Sequence, residues 1–407
     1  MVFPTVRKLV HSKIPALLSA VLLAAGCSSS TSTTSQSGDF TIGFALGLTG
    51  LIQPFDLPSM QTAQIAMDEI NSKGGVLGRK LKAVSADTHS DVNQGANAGL
   101  SVMGKGAQMV VVSCDYDFGG PAASQAQAKG LVSFSVCAGS IKFGPQGVGD
   151  KAFTMGMAAA EEGSGIAEWA YNTKGFRSAF VMHQVYNAFN DESCSSFTNR
   201  WTQLAGAPSI VGKADFKDTD PSYDSQITAV RNASKAPDFI FLCSVSPGMP
   251  KMMRAIRSAG LQQPILENQS AGGDYWKSAI PDVSNVYYTD LFSINGDDPS
   301  SAINNLVRDW KTKNPQSVSV VDGHMPSGYG LIYIWSDAVK QAGSFDGAKV
   351  AKALEGFKDH QTPIGPWTYN AQFHINLTRQ MRLNQIQNGK TTFVQQLRPQ
   401  TLVLPSV

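Results

Sequence analysis

Two carboxylates, a thiol and two aromatic rings are packed into one short stretch, Val110-Val111-Val112-Ser113-Cys114-Asp115-Tyr116-Asp117-Phe118-Gly119-Gly120-Pro121-Ala122-Ala123-Ser124. It reads as strand, loop and helix start. Pro121 suits a first helical turn, where its missing N–H costs nothing, and the glycines before it let a ligand approach the backbone. Free N–H groups and the positive end of a helix dipole favour a bound carboxylate there. Asp115 and Asp117 place negative charge in the same loop, so a plainer reading, in which they only cap the helix, stands beside it. Aromatic residues near other strand ends, Phe55, Phe118 and Tyr186 with Tyr116, suit a wall that encloses an organic ligand.

Covalent and metal chemistry find less support. The chain has no G-x-S-x-G elbow, no G-x-x-x-x-G-K-[ST] loop and no G-x-G-x-x-G opening a helix after a strand. His183 follows a strand, and a triad gathered from distant loops is the catalytic alternative; a solvated or partner-satisfied histidine is the simpler reading. Beyond Cys27 the cysteines are Cys114, Cys137, Cys194 and Cys243, without C-x-x-C spacing, and the six histidines are scattered. No metal site, cofactor or catalytic residue is assigned. The four thiols form two bridges in any of three connectivities, or stay free and buried.

Positioning these loops takes alternating elements. Thr41 to Leu46, Leu81 to Ser85, Gln108 to Ser113, Leu131 to Ser135, Ser178 to Met182, Phe239 to Leu242 and Pro264 to Leu266 read as strands. Met60 to Ile70 and Asn93 to Met103 read as helices, the first ended by Gly74-Gly75. Strands alternating with helices predict an α/β fold of parallel, doubly wound sheets, whose ligands sit beyond the carboxyl ends of the strands. The loops after Leu46, Ser113, Ser135, Met182, Leu242 and Leu266 are therefore the place for a site.

At the amino end Arg7, Lys8 and Lys13 precede an apolar run, Ile14 to Ala25, about twelve residues long. A bilayer needs roughly 20 helical residues, so the run reads as a cleaved signal. Its end, Ala24-Ala25-Gly26-Cys27, resembles the lipobox of bacterial lipoproteins, with Leu23 one place early. That resemblance implies lipidation of Cys27 by more than one chain, since a single chain binds only marginally; plain secretion with cleavage near Ala25 is the alternative. Residues 27–38, rich in Ser and Thr, form a flexible tether. The remaining body is long enough for two cores. The chain's charge of +2 becomes −1 once the three leader cations are removed, with no basic run, which excludes a nucleic-acid partner.

Two stretches, Ile42-Gly43-Phe44-Ala45-Leu46-Gly47-Leu48-Thr49-Gly50 and Ala66-Met67-Asp68-Glu69-Ile70-Asn71-Ser72-Lys73-Gly74-Gly75-Val76-Leu77-Gly78-Arg79-Lys80-Leu81, resemble the branched-chain amino-acid (Leu/Ile/Val-type) solute-binding proteins of ABC importers. Asp87 to Asp91, Asp215 to Ile227, Pro237-Asp238-Phe239, Met253 to Leu261 and Ile364-Gly365-Pro366-Trp367-Thr368-Tyr369 extend the likeness over most of residues 39 to 370. The resemblance implies a type I periplasmic-binding fold: two Rossmann-like lobes joined by three crossings, divided as 39–155 plus 288–363 and 156–287 plus 364–407. It further implies that a ligand is held between the lobes, and that the closed form is recognised by a membrane permease.

Carried over residue by residue, the family's ligand contacts fall on Asp115 or Tyr116, on Cys137, Ala138, Gly139 and Ser140, and on Tyr186, with Phe55 and Ser244 beside them. A second family tyrosine is replaced by Val245, and the acid that neutralises the ligand ammonium by Gln269, with Glu267 two residues away. A buried ammonium without its carboxylate costs on the order of several kcal/mol. The expectation is thus a monomeric, exported, lipid-anchored receptor for a small organic solute with an acid, amide or aromatic group. A sensor of the same fold and a surface hydrolase are the rival functions.

Overall fold

Apolar, β-branched runs become strands here because helices cover both faces of the sheets they form. The computed structural model describes residues 38–317 and 321–405, so the expected signal sequence, Cys27 and the expected tether through Ser37 lie outside the described residues. The first sheet contains β1 (Phe40–Leu46), β2 (Leu81–Asp87), β3 (Met109–Val112), β4 (Ser133–Ser135) and β5 (Ala152–Thr154). All pair in parallel, in the order β2-β1-β3-β4-β5. Between them run α1 (Gln53–Ser72), α2 (Gly95–Gly104) and α3 (Tyr116–Ala128).

The second sheet contains β6 (Ala179–Gln184), β7 (Ile210–Phe216), β8 (Phe239–Cys243), β9 (Ile265–Glu267) and β10 (Val286–Asp290). Its helices are α4 (Ala159–Asn172), α5 (Ala188–Ala205), α6 (Asp224–Arg231) and α7 (Gly248–Ser258). The chain then returns to the first core with α8 (Ser301–Lys313), α9 (Pro326–Ala342), α10 (Gly347–Glu355) and a small antiparallel pair, β11 (His360–Thr362) and β12 (Gly365–Trp367). Trp310, Trp335 and Trp367, all fully buried, pack in that core with Phe40 and Phe134. A final hairpin, β13 (Met381–Gln387) and β14 (Lys390–Leu397), closes the second sheet in the order β14-β13-β10-β9-β8-β6-β7.

That hairpin departs from the expected all-parallel arrangement, since β13 runs antiparallel to β10. It turns at Asn388-Gly389, both at positive φ (50° and 70°), which a tight two-residue hairpin needs. The result is the type I periplasmic-binding arrangement: two lobes with three crossings, at residues 155–158, 291–300 and 368–380. The cysteines pair Cys114 with Cys137 and Cys194 with Cys243, at Cα separations of 4.6 and 5.6 Å, which corrects the free-thiol reading. Cys114 and Cys137 follow the neighbouring parallel strands β3 and β4, so the sheet brings their loops side by side.

Candidate functional site

The carboxyl ends of both sheets face one another across a cleft that encloses about 50 Å³ and opens to solvent. Its first-lobe wall is organised by Asp56, in the first turn of α1 and fully buried. One oxygen accepts from Gly47 N (2.7 Å) and the Ser113 hydroxyl (2.5 Å), the other from Cys114 N (2.8 Å). Burial outweighs these donors and pushes the Asp56 pKa up to about 7. One side chain thereby ties the loop after β1 to the loop after β3.

The β3 loop ends at Asp115, whose φ of 77° is unusual for a residue with a side chain. Asp115 caps α3 by accepting from Asp117 N at 2.8 Å, and its other oxygen accepts from Asn187 Nδ2 of the second lobe at 2.6 Å. Asp117 accepts from Ala188 N at 3.1 Å, so both carboxyls reach the first turn of α5. Burial, then Asp117, raise the Asp115 pKa to about 8. Because the cap lies at Asp115, α3 begins at Tyr116, and Pro121 sits inside the helix rather than in the expected first turn. Gly119 serves packing instead of a ligand, since a Cβ there meets Ser113 O at 2.4 Å, whereas a Cβ on Gly120 would make only ordinary contact with Tyr116.

At the deeper end, a short turn over Gln269–Ala271 follows β9. Gln269 N donates to Glu162 of α4 at 2.6 Å, and Gln269 Oε1 meets His324 Nε2 from the first lobe. His324 Nδ1 lies 2.5 Å from Asp322 Oδ1, just before α9. Burial alone lowers the His324 pKa, but Asp322 and Asp290 outweigh it, and the net shift is upward. Asp290, at the end of β10, is itself raised by burial to about 8. Gly323 admits it, since a Cβ there falls 2.0 Å from Asp290 Oδ2.

Apolar side chains line the rest of the cleft: Leu51, Ile52, Phe55, Phe118, Phe189 and Val245. Phe55 also meets Tyr275 of the second lobe edge-on at 5.3 Å. Of the residues expected to touch ligand, Asp115, Cys137, Gly139, Tyr186, Gln269 and Phe55 line the cleft. Cys137 does so as half of a disulfide. The other four lie behind the wall. Tyr116 packs on the apolar face of α2 and α3, and Ala138 is buried with its N–H donated to Ser135. The Ser140 hydroxyl donates to Glu192 of α5, a carboxyl whose pKa burial raises. Ser244 donates to the buried Glu267 through its N–H (3.2 Å) and hydroxyl. Burial holds Glu267 well above the carboxylate range, and it does not line the cleft.

Sequence reasoning missed Asp56, Asn187, His324 and Ser270. The signals were present: an Asn preceding a helix, and Asp322-Gly323-His324-Met325-Pro326 ahead of α9 with its first-turn proline. His183 is on β6, bonded to Asp191 (2.9 Å) and Asp215 (3.3 Å), and does not line the cleft. Among the described residues no group of three or more His, Cys, Asp or Glu could hold a metal ion.

Residues 39–391 match the family model described as periplasmic binding protein. The chain is 25% identical over 342 residues to the Leu/Ile/Val-binding protein BraC3 of Rhizobium johnstonii, covering 81% of this chain and 87% of that one. Among solved structures, the leucine binding protein LivK of Thermotoga maritima superposes with a TM-score of 0.76 at 20% identity, over 88% of this chain and 99% of that one. A solute binding protein of an R. palustris ABC transporter, solved with 4-hydroxybenzoate, gives 0.75 at 13% identity, over 90% and 98%. With two lobes, three crossings and a cleft at the strand ends, the chain belongs to the periplasmic binding protein family.

Proposed function

We propose that this protein is an exported, lipid-anchored receptor that closes its lobes on a small organic solute and hands it unchanged to an ABC permease. The halves read from the sequence, 39–155 plus 288–363 and 156–287 plus 364–407, are adjusted so that β10 stays with the second sheet and β12 with the first core: the bodies are 39–154 plus 301–367 and 159–290 plus 381–397, turning about the crossings at 155–158, 291–300 and 368–380. The observation that carries this reading is the cleft itself. It is walled mostly by apolar side chains, and hydrogen bonds donated by Asn187 and Ala188 at the start of α5 to Asp115 and Asp117 span it. Ligand classes compatible with the wall are acids, amides and aromatic compounds. Capture without catalysis fits His183 lying outside the cleft.

Mass spectrometry of solute that co-purifies with the folded protein, followed by thermal shift with that compound, tests the reading; a ligand bound only by the native state raises its melting temperature. Tyr186→Ala and Gln269→Ala are expected to weaken binding of that compound. If both variants bind it like the parent, the site is elsewhere. Chemical conversion of the captured compound removes the receptor reading.

A further inference from the structure

The side-chain amide of Gln269 has a donor end and an acceptor end, and the partner across the cleft decides which one a ligand meets. We propose that His324 holds Gln269 with its amide N–H groups toward the cleft, so that the site selects an apolar carboxylic acid carrying no α-ammonium group. This inference rests on the solute-capture reading above.

His324 is pinned before it reaches Gln269. Its backbone N–H donates to Asp322 Oδ1 at 2.9 Å, and its Nδ1–H donates to the same oxygen. Asp322 is in turn tied to α1, through its N–H to Pro54 O at 3.0 Å. The ring's other nitrogen faces Gln269 Oε1. Each ring nitrogen faces an acceptor oxygen, Asp322 Oδ1 on one side and Gln269 Oε1 on the other, so the ring donates from both, and Asp322 shifts its pKa upward against burial. A donor at Nε2 fixes the amide oxygen on that side and leaves the Gln269 NH2 pointing away. Among the described residues no hydrogen-bond partner takes that NH2, and it is not one of the sealed, unpaired buried atoms. The backbone of Gln269 is held by its N–H to Glu162, so rotation of the amide, which His324 opposes, is what would exchange the two ends.

An ammonium placed here meets donors instead of an acceptor. Asp115 is the only acidic residue among those lining the cleft, and both of its oxygens already accept, from Asp117 N and Asn187 Nδ2. A carboxylate meets the opposite situation: two unpaired N–H donors at one end, and a hydrocarbon-lined wall of Ile52, Phe55, Phe118 and Val245 for the rest of the molecule.

The test uses pairs with one carbon skeleton: 3-phenylpropanoate against phenylalanine, and 4-methylpentanoate against leucine, titrated calorimetrically at neutral pH. The parent is expected to bind at least one acid ten times or more tightly than its amino-acid counterpart. Gln269→Glu restores an acceptor and is expected to reverse the order. His324→Leu frees the amide to rotate and is expected to shrink the preference to about threefold or less, with melting curves confirming the fold. The inference is overturned if the parent prefers the amino acid of a pair, or if His324→Leu keeps the full preference. Should a variant fail to fold, the parent's own preference decides. If no member of either pair binds, the co-purified solute decides: a captured α-amino acid, or a compound without a carboxylate, overturns the inference while leaving capture intact. Finding no captured solute at all removes the receptor reading itself.

Discussion

At the mouth of the cleft, Asp115 and Asp117 of the first lobe accept hydrogen bonds from Asn187 and Ala188 of the second; at its base, His324 of the first lobe meets Gln269 of the second. Both bridges join the same two bodies, and both rest on carboxyls, half-buried at the mouth and fully buried at the base. They differ in what the carboxyl does. At the mouth it is itself the bridging group, consumed by a helix cap and a cross-lobe amide. At the base the carboxyls of Asp322 and Asp290 stay behind the wall and act on a histidine, which acts on a glutamine. A group used up in closure leaves little to offer a ligand, whereas a group that orients another side chain shapes what the ligand sees.

The comparison can be broken at its support, at the bridge and in the solvent. The largest effect is expected from Asp56→Ala, which leaves Cys114 N and the Ser113 hydroxyl without their acceptor and Gly47 N with only Ser113 Oγ at 3.1 Å. Each buried donor left unpaired costs roughly 1–3 kcal/mol, so a loss of about 3 kcal/mol in urea unfolding of the ligand-free protein is expected. No loss shows that water replaces the carboxyl there.

Next comes the mouth bridge itself, probed by a double-mutant cycle of Asp115→Ala and Asn187→Ala. Each single change is expected to weaken ligand affinity by about fivefold to tenfold, with a coupling of about 1 kcal/mol between them. The order of preference among ligands should not change. A changed order assigns Asp115 to ligand recognition and erases the distinction between mouth and base.

The smallest effect is a pH dependence shared by both ends. Asp56, Asp115 and Asp290 have folded pKa values of about 7, 8 and 8, above their unfolded values, so the folded state binds more protons than the unfolded chain between these limits. Stability therefore falls as pH rises through that window. His324, also raised, loses its contribution in the same direction. The melting temperature at pH 9 is expected to lie a few degrees below that at pH 7. In Asp115→Asn the decline should be shallower, because one of the raised groups is gone.

Much of the frame was legible along the chain. Runs such as Met109–Val112 must be covered on both faces, and their alternation with amphipathic stretches leaves a doubly wound sheet as the economical solution. Asp115 and Tyr186 were singled out at strand ends, where such sheets bind, and Gln269 by the family resemblance; all three line the cleft. The β13 and β14 hairpin was missed because β13 pairs across 92 to 100 residues with β10, a register that no local pattern encodes. Ser244 and Ser140 sit at the right places in the chain but point at Glu267 and Glu192, and side-chain direction at a strand end depends on packing.

The amino-acid order by itself determined the α/β alternation and the set of loops from which the cleft is made, because periodicity and turn residues act over a few positions at a time, and its resemblance to a known family implied the two-lobed architecture. Only the tertiary structure decided the two disulfide pairings, the choice of Asp56 as the tie between two loops, and the meeting of His324 with Gln269 across 55 residues of chain. Those depend on burial and on distances between segments remote in sequence. Desolvation and hydrogen-bond geometry exist only once the lobes have folded and come together.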